Sequence, residues 1–346
     1  MGFLFKNFCS LAYAILFQFL FLHKSYACDF FSGTWVSDDT YPLYNTSNCP
    51  FISEEFDCQK NGRPDNLYLK YRWKPNDCTF PRFDGQDFLR RYKGKKILFV
   101  GDSLSFNQWQ SLICMLHKIK KYLMSLIPLQ DYGISVTLIR KQYFVDLVKE
   151  NVGMVLKLDS IENGKEWIGY DLLIFNSWHW WTHKGKIQKW DYIQEGDKLV
   201  KDMDRLVAYK KGLTTWSKWV DSNVNPTITK VFFQGISPTH FNGEDWNEKS
   251  ATCEGQTQPL NGSTYPAGLP PAVAVVKEVL ANMTTHVPLL DITTLSQLRK
   301  DGHPTSYGSD GKEGNDCSHW CLAGVPDTWN ELLYALLVTG QNITSI

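Results

Sequence analysis

The chain has 346 residues, 43% of them hydrophobic, enough to bury one large core or two modest ones. Its 36 Lys+Arg balance 36 Asp+Glu, which excludes a general nucleic-acid binder, in need of surplus cations for the phosphates, and also an acidic disordered chain. One long apolar run excludes a polytopic membrane protein. That run comes first. Met1 to Lys6 is a short segment with one cation, Phe8 to Leu22 is apolar save for Cys9, Ser10 and Gln18, and Ser25-Tyr26-Ala27 is a small-x-small site before Cys28. Residues 1–27 read as a signal peptide or, if uncleaved, a signal anchor; both deliver the body of the chain to the secretory lumen. Setting Cys9 aside leaves Cys28, Cys49, Cys58, Cys78, Cys114, Cys253, Cys317 and Cys321, an even number suited to four disulfides in an oxidising compartment. No Cys-x-x-Cys pair occurs, so no metal site is expected. Sequons at Asn45, Asn261, Asn282 and Asn342 suit a glycoprotein.

Residues 28–94 are rich in Cys, Pro, Asn, Asp and aromatics with little periodicity, and predict a loop-rich, disulfide-pinned segment packed on the core. From residue 95 the pattern changes. Ile97-Leu98-Phe99-Val100 predicts a buried strand ending at Gly101, followed by a helix with Trp109, Leu112, Ile113 and Leu116 on one face. Further strands are predicted at Ile134–Ile139, Leu172–Phe175, Val231–Gly235 and Val287–Ile292, with helices near Asp202–Val220, Pro271–Met283 and Asp327–Leu337. Strands alternating with helices predict an α/β domain over 95–346, a parallel sheet covered on both faces.

Gly101-Asp102-Ser103 stands where a buried strand meets a helix, the edge at which open α/β sheets bind ligands. Free N–H groups there stabilise an oxyanion, although Asp102 or Ser103 in such a place also serves simply as an N-cap. A base is needed. Asp316-Cys317-Ser318-His319-Trp320-Cys321 offers one, with His319 accepting the Ser103 proton and Asp316 orienting it. Asn176 ends another predicted strand, where its amide suits an oxyanion donor, and Trp178, Trp180 and Trp181 follow as sugar-stacking rings or as core. His179 and His183 have metal-pair spacing but no third ligand nearby, so packing is expected of them. His240 is a candidate for the cleft wall; His23, His117, His286 and His303 carry no signal. Arg82, Arg90, Arg91, Lys93, Lys95 and Lys96 form a basic cluster, either a solvated run or an attractor for carboxylates.

Gly101-Asp102-Ser103 followed by Asn107-Gln108-Trp109, the terminal stretch from Asp316 to Asn330, Asn176 in its Trp-rich strand end and Ser237-Pro238-Thr239-His240-Phe241 together resemble the trichome birefringence-like family of plant cell-wall polysaccharide O-acetyltransferases. Tyr41-Pro-Leu-Tyr-Asn45, Asn61-Gly-Arg-Pro-Asp65 and Gln234-Gly-Ile-Ser-Pro238 are most similar to its powdery-mildew-resistance branch, associated with pectin. The resemblance implies an SGNH-hydrolase-like α/β domain with a smaller lobe and a cleft for the polysaccharide. It implies Ser103 as nucleophile, His319 as base and Asp316 as its partner, with Gly101, Asp102, Asn107 and Asn176 as oxyanion or positioning residues. It implies disulfides Cys28–Cys78, Cys49–Cys114, Cys58–Cys321 and Cys253–Cys317, no tightly bound cofactor, an acetyl donor as co-substrate, and residence in the Golgi lumen or, alternatively, the cell wall. Phe106 stands where many relatives carry Arg, and Leu322-Ala323-Gly324 where Leu-Pro-Gly is usual. An acetylesterase with the same triad and a non-catalytic pectin-binding protein are the competing expectations.

Overall fold

The computed structural model describes residues 28–123, 132–308 and 314–340; the N-terminal reading over 1–27, with Cys9 and His23, and the sequon at Asn342 lie outside the described residues. The Cys-rich segment contributes one antiparallel pair, β1 (Gly33–Ser37) and β2 (Tyr71–Pro75), in which Trp35 and Trp73 are direct partners and meet edge-on with centroids 5.5 Å apart. Each indole N–H donates to a carbonyl, Trp35 to Leu295 and Trp73 to Phe30, both at 2.8 Å. Phe30, Trp35 and Trp73 thereby join the core beneath the main sheet, so this segment shares a core with the rest of the chain. The short helix α1 (Gly85–Arg91) adds Phe88 and Leu89 to the same core.

The main sheet follows. β3 (Lys96–Gly101) runs into α2 (Ser103–Leu123), and β4 (Ser135–Arg140) returns beside β3. β5 (Asp146–Glu150) and β6 (Gly153–Lys157) form a hairpin; β7 (Leu172–Phe175) rejoins the main sheet; β8 (Tyr192–Glu195) and β9 (Lys198–Val200) return to the hairpin. Helix α3 (Arg205–Asn223), β10 (Lys230–Gln234), α4 (Pro271–Ala281), β11 (Leu289–Leu290), α5 (Thr293–Gln297) and α6 (Val325–Thr339) complete the described strands and α-helices, which short 3-10 turns connect. The five-stranded sheet, ordered β11-β10-β7-β3-β4, is parallel throughout.

The central strands β3, β7 and β10 carry unbroken apolar runs, Ile97–Val100, Leu172–Phe175 and Val231–Phe233, because both faces are covered, and successive side chains point to opposite faces. Ile97, Phe99, Leu172, Ile174 and Phe232 pack with Leu112 of α2 and with Trp329, Leu332 and Leu333 of α6. Leu98, Val100, Leu173, Phe175, Val231 and Phe233 pack on the other side with Leu213 and Trp216 of α3 and Val273 and Val276 of α4. This is the predicted architecture, a parallel sheet with helices on both faces. Its boundaries move for local reasons. Helix α3 begins at Arg205 and not Asp202, because Asp204 caps it by accepting the N–H groups of Leu206 and Val207 at 3.0 Å. Strand β11 keeps only two residues of the six predicted: it is an edge strand, and Pro288 has no N–H to give to a ladder. The mixed sheet β5-β6-β8-β9 is absent from the sequence prediction, since its strands are short, half-exposed and mix charges with single apolar residues.

Candidate active site

Strand β3 ends at Gly101, packed so closely on its neighbour that a Cβ there would lie 2.3 Å from the carbonyl oxygen of Asn176. Only glycine lets the two strand ends approach in this way. Asp102 then turns the chain. Its Oδ1 accepts the Leu104 N–H at 2.9 Å, and the Asp102 carbonyl accepts from Phe106 to begin the helical ladder. The cap reading therefore holds for Asp102, and Ser103, the first residue of α2, keeps its side chain free. Burial pushes the Asp102 carboxyl up, against the pull of His179.

Ser103 Oγ donates to His319 Nε2 at 2.7 Å, and His319 Nδ1 donates to Asp316 Oδ2 at 2.7 Å. The other carboxylate oxygen, Oδ1, accepts from the backbone N–H and hydroxyl of Ser318, both at 2.9 Å, and from the His319 N–H at 3.1 Å. Burial works to raise the Asp316 pKa, but the His319 hydrogen bond and charge and these N–H groups outweigh it and hold the carboxyl well below the usual range. For His319 burial works downward, and the hydrogen bond and charge of Asp316, with Asp102 and Glu55 beyond, bring the imidazole above its ordinary 6.5.

The segment carrying Asp316 and His319 has no helix or strand of its own, and other elements hold it in place. Asn107 Nδ2 donates to the Trp320 carbonyl at 3.0 Å and its Oδ1 accepts the Trp320 N–H at 2.9 Å. Asp316 and Thr305 exchange backbone bonds, Cys321 N–H donates to Gly302, and Leu322 N–H to Phe56. Disulfides Cys253–Cys317 and Cys58–Cys321 clamp the same six residues, while Cys28–Cys78 and Cys49–Cys114 tie down the N-terminal segment. Removing the clamp with Cys58→Ser is expected to cost about 2–5 kcal/mol and to lower turnover, read by thermal unfolding and by activity at a temperature where the variant is folded. Full activity in the folded variant would count against the clamping role.

The serine and histidine open into a cavity of about 790 Å3, walled by Trp178, His179, Trp180, His183, Ile187, Pro238, Phe241, Tyr265, Leu269 and Pro270. A family model described as a GDSL/SGNH-like acyl-esterase family found in Pmr5 and Cas1p matches residues 80–336, and a model of the PMR5 N-terminal domain matches residues 26–79. The chain belongs to this acyl-esterase family. Protein trichome birefringence-like 38 of Arabidopsis thaliana is 57% identical over 324 residues, covering 91% of this chain and 85% of that one. Protein trichome birefringence-like 39 from the same plant is 54% identical over 319 residues, covering 90% and 87%. Protein trichome birefringence is 40% identical over 347 residues, covering 91% of this chain and 57% of its own length. Family membership supports acyl transfer as the chemistry of this chain, and the four disulfides suit the oxidising secretory pathway.

Several expectations for this acyl-esterase site need correction. Asn107 spends both ends of its amide on Trp320, so it positions the histidine segment and is not an oxyanion donor. Asn176, 2% exposed, is not among the residues lining the cavity, although its Oδ1 is buried without a partner. Trp178 and Trp180 reach the cavity, but Trp181 is buried against Tyr143 and Tyr209 and gives its N–H to Ser177. The one-turn 3-10 helix His179–Thr182 points neighbouring rings in different directions. His240 is fully buried and its neighbours Thr239 and Phe241 line the cavity in its place. His179, expected only to pack, is on the wall, its Nε2 donating to the Ser237 carbonyl at 2.8 Å. The basic cluster stands at the start of β3, about 20 Å along the strand from Ser103. Arg90 and Arg91 pair there with Asp87 and Lys95 with Asp171, and the length of the strand sets the cluster apart from the site. Phe106 stacks on Trp109, and Arg140 at the end of β4 lays its guanidinium over the Phe106 ring at 4.2 Å. A cation thus stands beside Phe106. Sequence reasoning missed Ile187, Phe241 and Leu269, large apolar side chains that remain exposed because they rim the cavity.

Proposed function

We propose that the chain is an O-acetyltransferase that places acetyl groups on hydroxyls of a plant cell-wall polysaccharide, with pectin or homogalacturonan as acceptor, through an acetyl-Ser103 intermediate. The observation that carries the reading is the unbroken chain Ser103–His319–Asp316 facing an aromatic-walled cavity. In the first step Ser103 Oγ attacks the carbonyl carbon of the donor ester while His319 takes the hydroxyl proton. Collapse expels the donor's leaving group, which takes the proton from the imidazolium. In the second step a sugar hydroxyl gives its proton to His319 as its oxygen attacks the acetyl carbon, and the serine departs, reclaiming that proton. The N–H groups at the start of α2 supply the oxyanion donors. The acetyl donor is a co-substrate, and no tightly bound cofactor takes part. Trp178 and Trp180 stack on pyranose faces.

The choice of pectin rests on the branch resemblance and on a second feature. Among the described residues the cavity wall carries no Lys or Arg, but the segment that supplies Thr182, His183 and Ile187 to the wall also exposes Lys184, Lys186 and Lys189, the last 5.6 Å from the Trp180 ring. These rim cations suit galacturonate carboxylates. Exchanging all three for Ala is expected to raise KM for galacturonan oligosaccharides about ten-fold, less at high salt, without affecting a neutral acceptor. The second reading, an acetylesterase in which water replaces the sugar hydroxyl, is favoured by the family's description as acyl-esterases. The workplace is the Golgi lumen with residues 1–27 as anchor, or the wall if they are cleaved, and exposed Asn45, Asn261 and Asn282 accept glycans. Labelled acetyl donor with de-esterified pectin oligosaccharides, and separately acetylated pectin in water, distinguish the readings by mass spectrometry. Ser103-dependent gain of acetyl on the sugar supports the transferase, and loss without gain the esterase. Change in neither sinks both, leaving a pectin-binding protein or another polymer.

A further inference from the structure

His240 and His303 are fully buried and outside the triad. His303 Nδ1 lies 2.6 Å from the carbonyl oxygen of His319, His303 Nε2 lies 2.6 Å from His240 Nδ1, and His240 Nε2 lies 2.9 Å from the Gln297 carbonyl oxygen. A carbonyl only accepts, so each outer nitrogen must carry a hydrogen, and a neutral imidazole has only one. Two neutral rings then have nothing left for the contact between them, where two lone pairs would face each other. Moving either hydrogen inward leaves a bare nitrogen against a carbonyl instead. Three contacts need three protons.

We propose that His240 and His303 share one extra proton as a buried imidazolium–imidazole pair, and that through the bond from His303 to the His319 carbonyl this pair positions the imidazole of the triad. The positioning half rests on the triad reading above; the proton count does not. The surroundings bear on the charge from every side. Burial opposes it on both rings and keeps each imidazole pKa below its ordinary range, that of His240 at about 4; the bond to the Gln297 carbonyl and Asp301 favour charge on His240, and Lys300 opposes it. Asp316 favours it on His303, and His319, if charged, opposes it. Arg63 donates to the His303 carbonyl at 2.9 Å. Each ring's charge also works against charge on the other, but that concerns a second proton; with one shared proton the partner ring is the acceptor. Trp320 stacks on His303 with centroids 4.1 Å apart, a face that favours a cation. The pair is also stitched to the histidine segment through the His240 N–H, which donates to the Cys317 carbonyl at 2.9 Å.

The test is a pH titration of the full chain labelled with 15N-histidine, reading ring nitrogens by NMR, with His240→Gln and His303→Asn for assignment. Three ring hydrogens on the two histidines, one of them in the N···N bond, are expected, and two neutral tautomers across the whole range in which the fold persists would overturn the proton. The positioning half is read on a small aryl acetate, which needs no polysaccharide. His240→Phe leaves His303 Nε2 without a partner and is expected to lower kcat about ten-fold and to shift the pH profile, with KM unchanged. Gln, whose neutral amide donates to that nitrogen, recovers most of the rate without the extra proton. Equal kcat and pH profiles for Phe, Gln and the parent overturn positioning. If Phe does not fold, the Gln variant decides, since it must lose the pH dependence contributed by the pair while keeping turnover. A parent with no esterolysis at all sinks the triad reading and leaves the NMR count standing.

Discussion

Ser103→Ala is expected to reduce acetyl turnover by about ten-thousand-fold or more while the protein still folds. The hydroxyl is the group His319 Nε2 faces at 2.7 Å, and without it neither an acetyl-enzyme nor a proton for the base exists. The stability cost is one hydrogen bond at a partly exposed site, about 1 kcal/mol or less, because Ser103 fills no core space. Turnover and thermal unfolding measured on the same preparation separate the two. Retained turnover in the folded variant would falsify the nucleophile assignment, whichever acceptor is used.

Asp316→Asn is expected to lower kcat by a comparable factor, about ten-thousand-fold, and also to move the pH profile. The working form of His319 is neutral, so turnover rises with pH through the His319 pKa, and in the parent that limb lies above 6.5. Burial alone would lower this pKa; the hydrogen bond and charge of Asp316 raise it. Asn removes the charge, leaves burial in command and also permits the wrong tautomer, so the acid limb should move to lower pH as the plateau falls. A limb that stays in place would mean that Asp316 does not set the His319 pKa. The carboxylate itself is held low enough to stay ionised throughout this range.

Much of the site is local chemistry and was legible as such. A strand of four buried apolar residues ending in Gly101 forces its successors to the sheet's carboxyl edge, and Asp102 and Ser103 divide the cap and the free hydroxyl between them. Asp316 and His319 lie three apart, close enough for one turn of chain to join them. The aromatic cluster was legible only as composition. Trp180 and Trp181 are neighbours in sequence, yet one reaches the cavity and the other the core, a choice made by a single 3-10 turn and by the Ser177 hydroxyl that receives the Trp181 N–H. The basic run before β3 was readable as charge but not as place, and the length of the strand carries it away from the site.

The sequence alone determined the alternation of buried strands and helices, because a strand covered on both faces must be apolar at every position and that pattern is periodic and local. It also singled out Ser103, His319 and Asp316 as candidates by residue type and, for the last two, by a spacing of three; the meeting of Ser103 with His319 across 216 positions was left to the tertiary structure. Only the tertiary structure decided which tryptophans line the cavity, that Asn107 is spent on Trp320, and that His240 meets His303 and His303 meets the His319 carbonyl. Those contacts join residues far apart in the chain; His240 and His303 are separated by 63 positions. No periodicity or spacing encodes such a meeting, which exists only once the parallel sheet has brought its loops to one edge.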